Sequence, residues 1–411
     1  MSNQFPQGFL WGAAVAGHQV EGNNVNSDTW FAENVTPTVF KERSGLACDS
    51  YNRWEEDLDL VKNIGLNTYR FSLEWARIQP TQDTWDEAEI AHYEAILDGC
   101  KARGLTTVVT MNHFTSPHWF AKLAGWLNPD APGLFATYCA EMVRRLGSKI
   151  DYVVTLNEPD LPRMLSWHNL PQFVRDLEAA TVEAAGKAAG VEKYRLSNVM
   201  LPAEMDEYGV AMEAGHRAAR AAMKAVKPEL PIGLSVAIID DQVVGDDATV
   251  RDRKREEVYG RWLRLAREDD FLGIQNYERN LYDGNGAVEP PADSIRNQLG
   301  GEIYAPSLAN CVEYGYSVSG VPILVTEHGM STTNDAERAA FVPDALDHLR
   351  QTIDSGVPVL GYIHWSLLDN FEWIFGYDPQ FGIVHVDRQT LARTPKPTAA
   401  ILGKIAQANA V

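Results

Sequence analysis

Two glutamates sit where paired carboxyl chemistry could be run. Glu158 lies in the run TLNEP (155–159) and Glu327 in VTEHG (325–329). Each follows an apolar stretch directly and precedes a turn residue, Pro159 or Gly329. A carboxylate placed so is held by a strand yet open to a ligand. Two of them, one ionised and one carrying a proton, are what cleavage of a glycosidic acetal requires. Other polar and aromatic residues fall at comparable points. They are Gln19 and Glu21, Arg70 and Glu74, His113, Asn157, Gln275 and Tyr277, His328, and then Trp365, Asp369, Glu372 and Trp373. Singly each has a bland reading, a solvated loop carboxylate or a core tryptophan. Their shared placement at the ends of apolar runs argues for one site.

The elements that must position them can be read from the pattern. Eight short, β-rich apolar runs occur at 9–16, 67–75, 105–114, 151–159, 231–239, 270–278, 321–329 and 357–368. Several are nearly continuous, as expected of parallel strands covered on both faces. Helix-like stretches alternate with them. In 53–65, Leu58, Val61 and Ile64 share one face and Gly65 ends the segment. Residues 86–103, 132–147, 207–226, 252–268 and 335–355 look similar, and the Ala-rich 178–190 is a further helix candidate. The expected fold is α/β: a single (β/α)8 TIM barrel with extended βα loops, residues 1–411 forming one domain. An open doubly wound sheet lacks its signature, since neither GxGxxG nor GxxxxGK[ST] is present. Long loops are expected at 20–50, 160–206, 240–251, 279–305 and 369–395. In such a ring the fourth and seventh strands lie on roughly opposite sides, so Glu158 and Glu327 could face each other across the mouth.

Composition narrows the partners. The 411 residues hold 56 Asp and Glu against 36 Lys and Arg, a formal net charge of −20. Such a chain repels phosphate backbones and anionic membranes, so neither nucleic acid nor a membrane is expected as partner. No apolar run approaches the ~20 residues of a membrane helix. The N-terminal MSNQFPQGFLWG lacks a basic region followed by an apolar stretch, so no signal peptide is expected. The four cysteines, Cys48, Cys100, Cys139 and Cys311, form no CxxC pair and read as reduced thiols. Cytoplasmic residence follows as the expectation. Homo-oligomerisation is left open.

The motifs together resemble glycoside hydrolase family 1, the β-glucosidase-like retaining enzymes. FPQGFLWGAAVAGHQVEG (5–22), YRFSLEWARIQP (69–80), TLNEP, VTEHG, WSLLDNFEW (365–373) and GYDPQFGIVHVD (376–387) match its ordered motifs nearly end to end. The resemblance implies a retaining exo-acting β-glycosidase, foremost a β-glucosidase, acting on unphosphorylated β-glycosides or short oligosaccharides without a cofactor. It implies Glu327 as nucleophile and Glu158 as general acid/base, supported by Arg70, Asn157 and Tyr277. It further implies Gln19, His113, Asn157, Gln275, Trp365, Glu372 and Trp373 as the residues that bind the sugar. A phospho-sugar branch replaces the glutamate at position 372 and adds a phosphate pocket with a lysine, which IFGYDPQFG lacks.

There are departures. GIQNY (273–277) stands where the family has GxNxY. The ungapped register puts Gln275 and Tyr277 at the functional positions; a one-residue shift would put Asn276 and Glu278 there. Strand alternation favours the first, and so does the cost of a third carboxylate beside Glu327. Asp160 replaces a frequent Trp after NEP, and Thr115 a frequent Asp after HF. Other glycones (β-galactoside, β-fucoside, β-xyloside), transglycosylation and a non-catalytic sugar-binding relative stay open. A metal-dependent barrel hydrolase using His113, His328 and His364 has less to support it, because no pair has ligand spacing and the acetal chemistry needs no metal.

Overall fold

The computed structural model describes residues 3–168 and 170–411. Eight parallel strands close into a barrel: β1 (Leu10–Ala14), β2 (Thr68–Ser72), β3 (Thr106–Asn112), β4 (Tyr152–Asn157), β5 (Ile232–Ala237), β6 (Phe271–Asn276), β7 (Ile323–His328) and β8 (Val359–Trp365). Each pairs with its neighbours in chain order, and β8 pairs with β1 to close the ring. All eight lie within the expected runs. Inward side chains such as Leu10, Val108, Val154, Phe271, Leu324 and Ile363 fill the barrel. The opposite faces pack against the surrounding helices in one large core. Closure leaves no strand edge open.

The helices form for local reasons. In Glu87–Ala102 the Asp86 carboxylate accepts from the Ala88 and Glu89 amides, and Ile90, Tyr93, Ile96, Leu97 and Cys100 turn inward. In Ser50–Ile64 the buried face includes Leu58 and Val61, and Gly65 ends the helix at φ 101°, a conformation that suits glycine. Helices Ser307–Ser319 and Pro397–Ala408 complete the ring although their periodicity did not single them out.

Several expected loops prove structured. The 160–206 segment folds into Leu161–Trp167 and Gln172–Ala189, so the Ala-rich helix begins earlier than its composition indicated. The second ends at Gly190, in the left-handed region. From the 240–251 and 279–305 segments come Asp240–Val243, Arg279–Asp283 and Gly286–Val288, which form a small separate sheet. Its anchor is a fully buried ion pair, Lys254 Nζ to Asp241 Oδ1 at 2.5 Å. All four cysteines are free and buried. Among the described residues no helix is long and apolar enough to cross a membrane.

Strand register aims the site. It shifts between Val154 and Asn157 on β4, and between Val325 and Glu327 on β7. An irregularity of this kind re-aims the side chains that follow it, here at the two strand ends carrying the glutamates.

Candidate active site

The C-terminal ends of the strands surround a cavity of about 510 Å³, lined by Gln19, His113, Asn157, Glu158, Gln275, Tyr277, Glu327, Trp365, Glu372 and Trp373. Glu327, at the end of β7, is nearly buried and doubly held. Arg70 Nη1, from β2, donates to its Oε1 at 2.5 Å, and the Tyr277 hydroxyl donates to its Oε2. Arg70 is itself fixed from three sides. Its Nε donates to Thr110 Oγ1 at 3.2 Å, Nη1 also to the Thr326 carbonyl at 3.0 Å, and Nη2 to Asn157 Oδ1 at 2.6 Å. Gln275 Nε2 reaches the same Asn157 oxygen at 2.7 Å, and Asn157 Nδ2 pairs with His113 Nε2 at 3.2 Å. One guanidinium thus ties β2, β3, β4 and β7 together beneath the cavity.

Gln275 and Tyr277 face the cavity, which is the ungapped register. Asn276 turns away, donating to the Ile238 carbonyl and accepting from Ser307 Oγ. Glu158 follows β4 at φ 48°, its amide donating to the Ser235 carbonyl. Phe114 and Trp373 also have positive φ, at 68° and 50°. Non-glycine residues in this region cost backbone energy and gather at functional sites. Gly329 has a steric reason: a Cβ there would lie 2.1 Å from the Trp365 carbonyl oxygen, so glycine lets the ends of β7 and β8 meet.

At the far side of the cavity Gln19 Nε2 donates to the Phe371 carbonyl at 2.8 Å and to Glu372 Oε2 at 3.1 Å. The His113 ring stacks on Trp365 at 5.6 Å, and Trp373 stacks on His18 at 5.6 Å. Residues beyond the expected sugar binders support this wall. Glu33 holds His18 Nε2 at 2.8 Å, and Glu74 accepts from both Asn24 and Thr115 at 2.7 Å. Thr115 is thus a hydrogen-bonding partner of Glu74. Asn24 and Glu33, the latter ending the short helix Asp28–Glu33, lie in the expected 20–50 loop, where no pattern marks them. Asp160 is wholly buried and accepts from the Ala237 amide at 3.2 Å. His328 and His364 pair with the Tyr362 hydroxyl. Four buried polar atoms beside the cavity, Gln19 Oε1, His113 Nδ1, Asn198 Oδ1 and Gln275 Oε1, have no hydrogen-bond partner among the described residues. Such groups are costly unless a ligand or water meets them, and sugar hydroxyls suit them.

The electrostatics separate the two glutamates. Burial pushes both carboxyls up. For Glu158 the charges of Glu327 and Asp160 add to burial, and it rises well above the ordinary range. For Glu327 the Arg70 charge and the Tyr277 hydroxyl oppose burial. Glu158 is therefore the group that keeps its proton. Burial and the Glu327 charge raise Glu372 to about 8. Burial, with the nearby Arg70, holds His113 well below the usual imidazole range, hence neutral.

The model of glycosyl hydrolase family 1 matches residues 1–190 and 264–411. The chain belongs to that family. This family 1 glycoside hydrolase is 32% identical over 442 residues to a β-glucosidase of Agrobacterium sp., covering 96% of the chain and 94% of the relative. A bifunctional β-D-glucosidase/β-D-fucosidase of Bifidobacterium breve is 27% identical, with 96% of each chain covered. Among solved structures, β-glycosidase BGL167 superposes with a TM-score of 0.93 at 41% identity, covering 99% of this family 1 chain and 98% of the other.

Proposed function

We propose that this glycoside hydrolase is a retaining, exo-acting β-glucosidase working on unphosphorylated β-glycosides, with residues 1–411 acting as a single barrel domain. The observation that carries the reading is the different surroundings of two buried glutamates: Glu327 accepts hydrogen bonds from a guanidinium and a phenol, and Glu158 is raised further by the Glu327 charge. Glu327 attacks the anomeric carbon as the glycosidic C–O bond breaks, and Glu158 gives its proton to the departing oxygen. Glu327 is then an ester and has lost its charge. Glu158, now a carboxylate that no longer faces a second charge, takes a proton from water, and the hydroxide displaces Glu327. Arg70 and Tyr277 support the nucleophile, and Asn157 and Gln275 hold Arg70 in place. Gln19, His113, Asn157, Gln275, Glu372 and Trp373 meet the hydroxyls, with Trp365 as the platform under the ring.

Trapping with a 2-deoxy-2-fluoro-β-glucosyl fluoride tests this: a labelled peptide containing Glu327 is expected, and unmodified protein under saturating reagent would refute it. A β-fucoside is the second reading, favoured by the bifunctional relative; a nitrophenyl glycoside panel decides between them. Four buried free thiols favour a reducing, cytoplasmic setting.

The rate should be bell-shaped in pH. Falling pH protonates Glu327, and rising pH strips Glu158 of its raised proton. Tyr277→Phe removes a hydrogen bond that favours ionised Glu327. The acid limb of kcat/KM should move to higher pH. The plateau should drop by about 10- to 100-fold, the worth of a hydrogen bond to a charge. An unmoved acid limb would separate Tyr277 from the nucleophile.

A further inference from the structure

The strand end that carries Glu327 is joined to β8 by side chains where the backbone ladder stops. On one flank β7 stays paired with β6 through Glu327–Gln275 and His328–Asn276. On the other flank its pairing with β8 ends at Val325–Tyr362, short of Glu327. Beyond that point His328 Nδ1 meets the Tyr362 hydroxyl at 2.9 Å, and the same hydroxyl meets His364 Nδ1 at 3.0 Å. All three side chains are fully buried. They lie outside the barrel, where the His328 ring packs on Phe341 of the helix Asp335–Asp354. Strand alternation sets a cavity residue beside each imidazole: Glu327 precedes His328, and Trp365 follows His364.

A phenol has one proton to donate and lone pairs that accept. Among the described residues no third group meets the Tyr362 hydroxyl, so it donates to one ring and accepts from the other. The two imidazoles are therefore opposite tautomers. Burial keeps both neutral, lowering His328 to about 3 and His364 well below the usual range. Both Nε2 atoms are buried without a partner among the described residues, so the shared hydroxyl gives each ring its one hydrogen bond there.

We infer that His328, Tyr362 and His364 are positioning residues, a clasp outside the barrel that fixes where Glu327 stands against a sugar seated on Trp365. The inference rests on the proposed role of Glu327 as nucleophile. A displacement of about 1 Å in an attacking group can cost about 100-fold in rate. Gln19, His113 and Trp373 come from other segments, so binding of the uncleaved sugar should hardly change.

Tyr362→Phe removes the hydroxyl and keeps the ring. On nitrophenyl β-glucoside kcat/KM should fall about 10- to 100-fold, while the Ki of isopropyl β-thioglucoside, bound but not cleaved, stays within about threefold. In Glu327→Ala supplied with azide, the same substitution should cost no more than about threefold, because the attacking group no longer rides on β7. Equal losses in the two backgrounds would make Tyr362 a general structural residue and overturn the inference. So would an unchanged parent rate, or a Ki that rises in step with the lost rate. If the phenylalanine variant folds poorly, His328→Leu and His328→Asn take its place. Leucine should reproduce the loss, and asparagine, whose amide reaches about where Nδ1 stands, should recover most of it; equal rates for the two would overturn the inference. Azide rescue of Glu327→Ala upholds the nucleophile assignment whichever way the clasp variants behave. A failed rescue would defeat that assignment, and the clasp with it.

Discussion

Glu327→Ala will lower kcat on nitrophenyl β-glucoside by on the order of 10⁴- to 10⁶-fold, the scale of losing a nucleophile. The substitution leaves Arg70 buried with its carboxylate partner gone, and leaves a gap on the face of the sugar opposite the leaving group. A small anion can enter that gap. Azide or formate should therefore restore part of the rate, and the azide product should be the α-anomer, formed by one inversion. Chromatography and proton NMR of the product read this directly. A β-azide, or a variant within tenfold of the parent, would remove Glu327 from its assigned role.

The second large effect depends on the leaving group. Glu158→Ala should cost methyl or octyl β-glucoside about 10²- to 10⁴-fold in kcat/KM, the usual contribution of a general acid. A dinitrophenolate leaves without help, so its kcat/KM should stay within about tenfold of the parent. The second step still lacks its base. The glycosyl-enzyme should then accumulate, giving a burst in stopped flow and a lowered KM. Equal losses on alkyl and dinitrophenyl substrates would show that Glu158 does not protonate the leaving oxygen. The raised carboxyl of Glu158 adds a further check: the alkaline limb of the alkyl-glucoside profile should disappear in this variant.

Much of this arrangement could be read before any coordinates. The eight apolar runs are legible because parallel strands buried on both faces must be apolar throughout. Glu158 and Glu327 are legible because a charged residue directly after such a run has to lie at a strand end. The register of Gln275 and Tyr277 followed from the two-residue period of a strand. Other features have no linear signature. The first turns of the Gln172–Ala189 helix, ahead of its Ala-rich part, and the small sheet around Lys254 depend on tertiary burial, and their segments look like ordinary polar loops. The supports behind Trp373, namely His18, Glu33, Asn24 and Thr115, come from separate segments and meet only when the ring closes. The shifts on β4 and β7 are equally silent, because a bulge leaves the residue pattern almost unchanged. Asp160 could be seen as a replacement but not as an inward anchor to Ala237.

The inner cavity holds Glu158 and Glu327, both buried, and the half-buried Glu372, with the guanidinium of Arg70 hydrogen-bonded to Glu327. Such a set is short of positive charge, and near neutrality it makes up the deficit by retaining protons. A guest carrying its own cation in place of the ring oxygen would take over that duty. Complex formation with an iminosugar should thus expel protons into the medium, and calorimetry in buffers of unlike ionisation heat would count them. The oxocarbenium-like species on the reaction path is a transient guest of the same kind, met by a hollow already electron-rich before it forms.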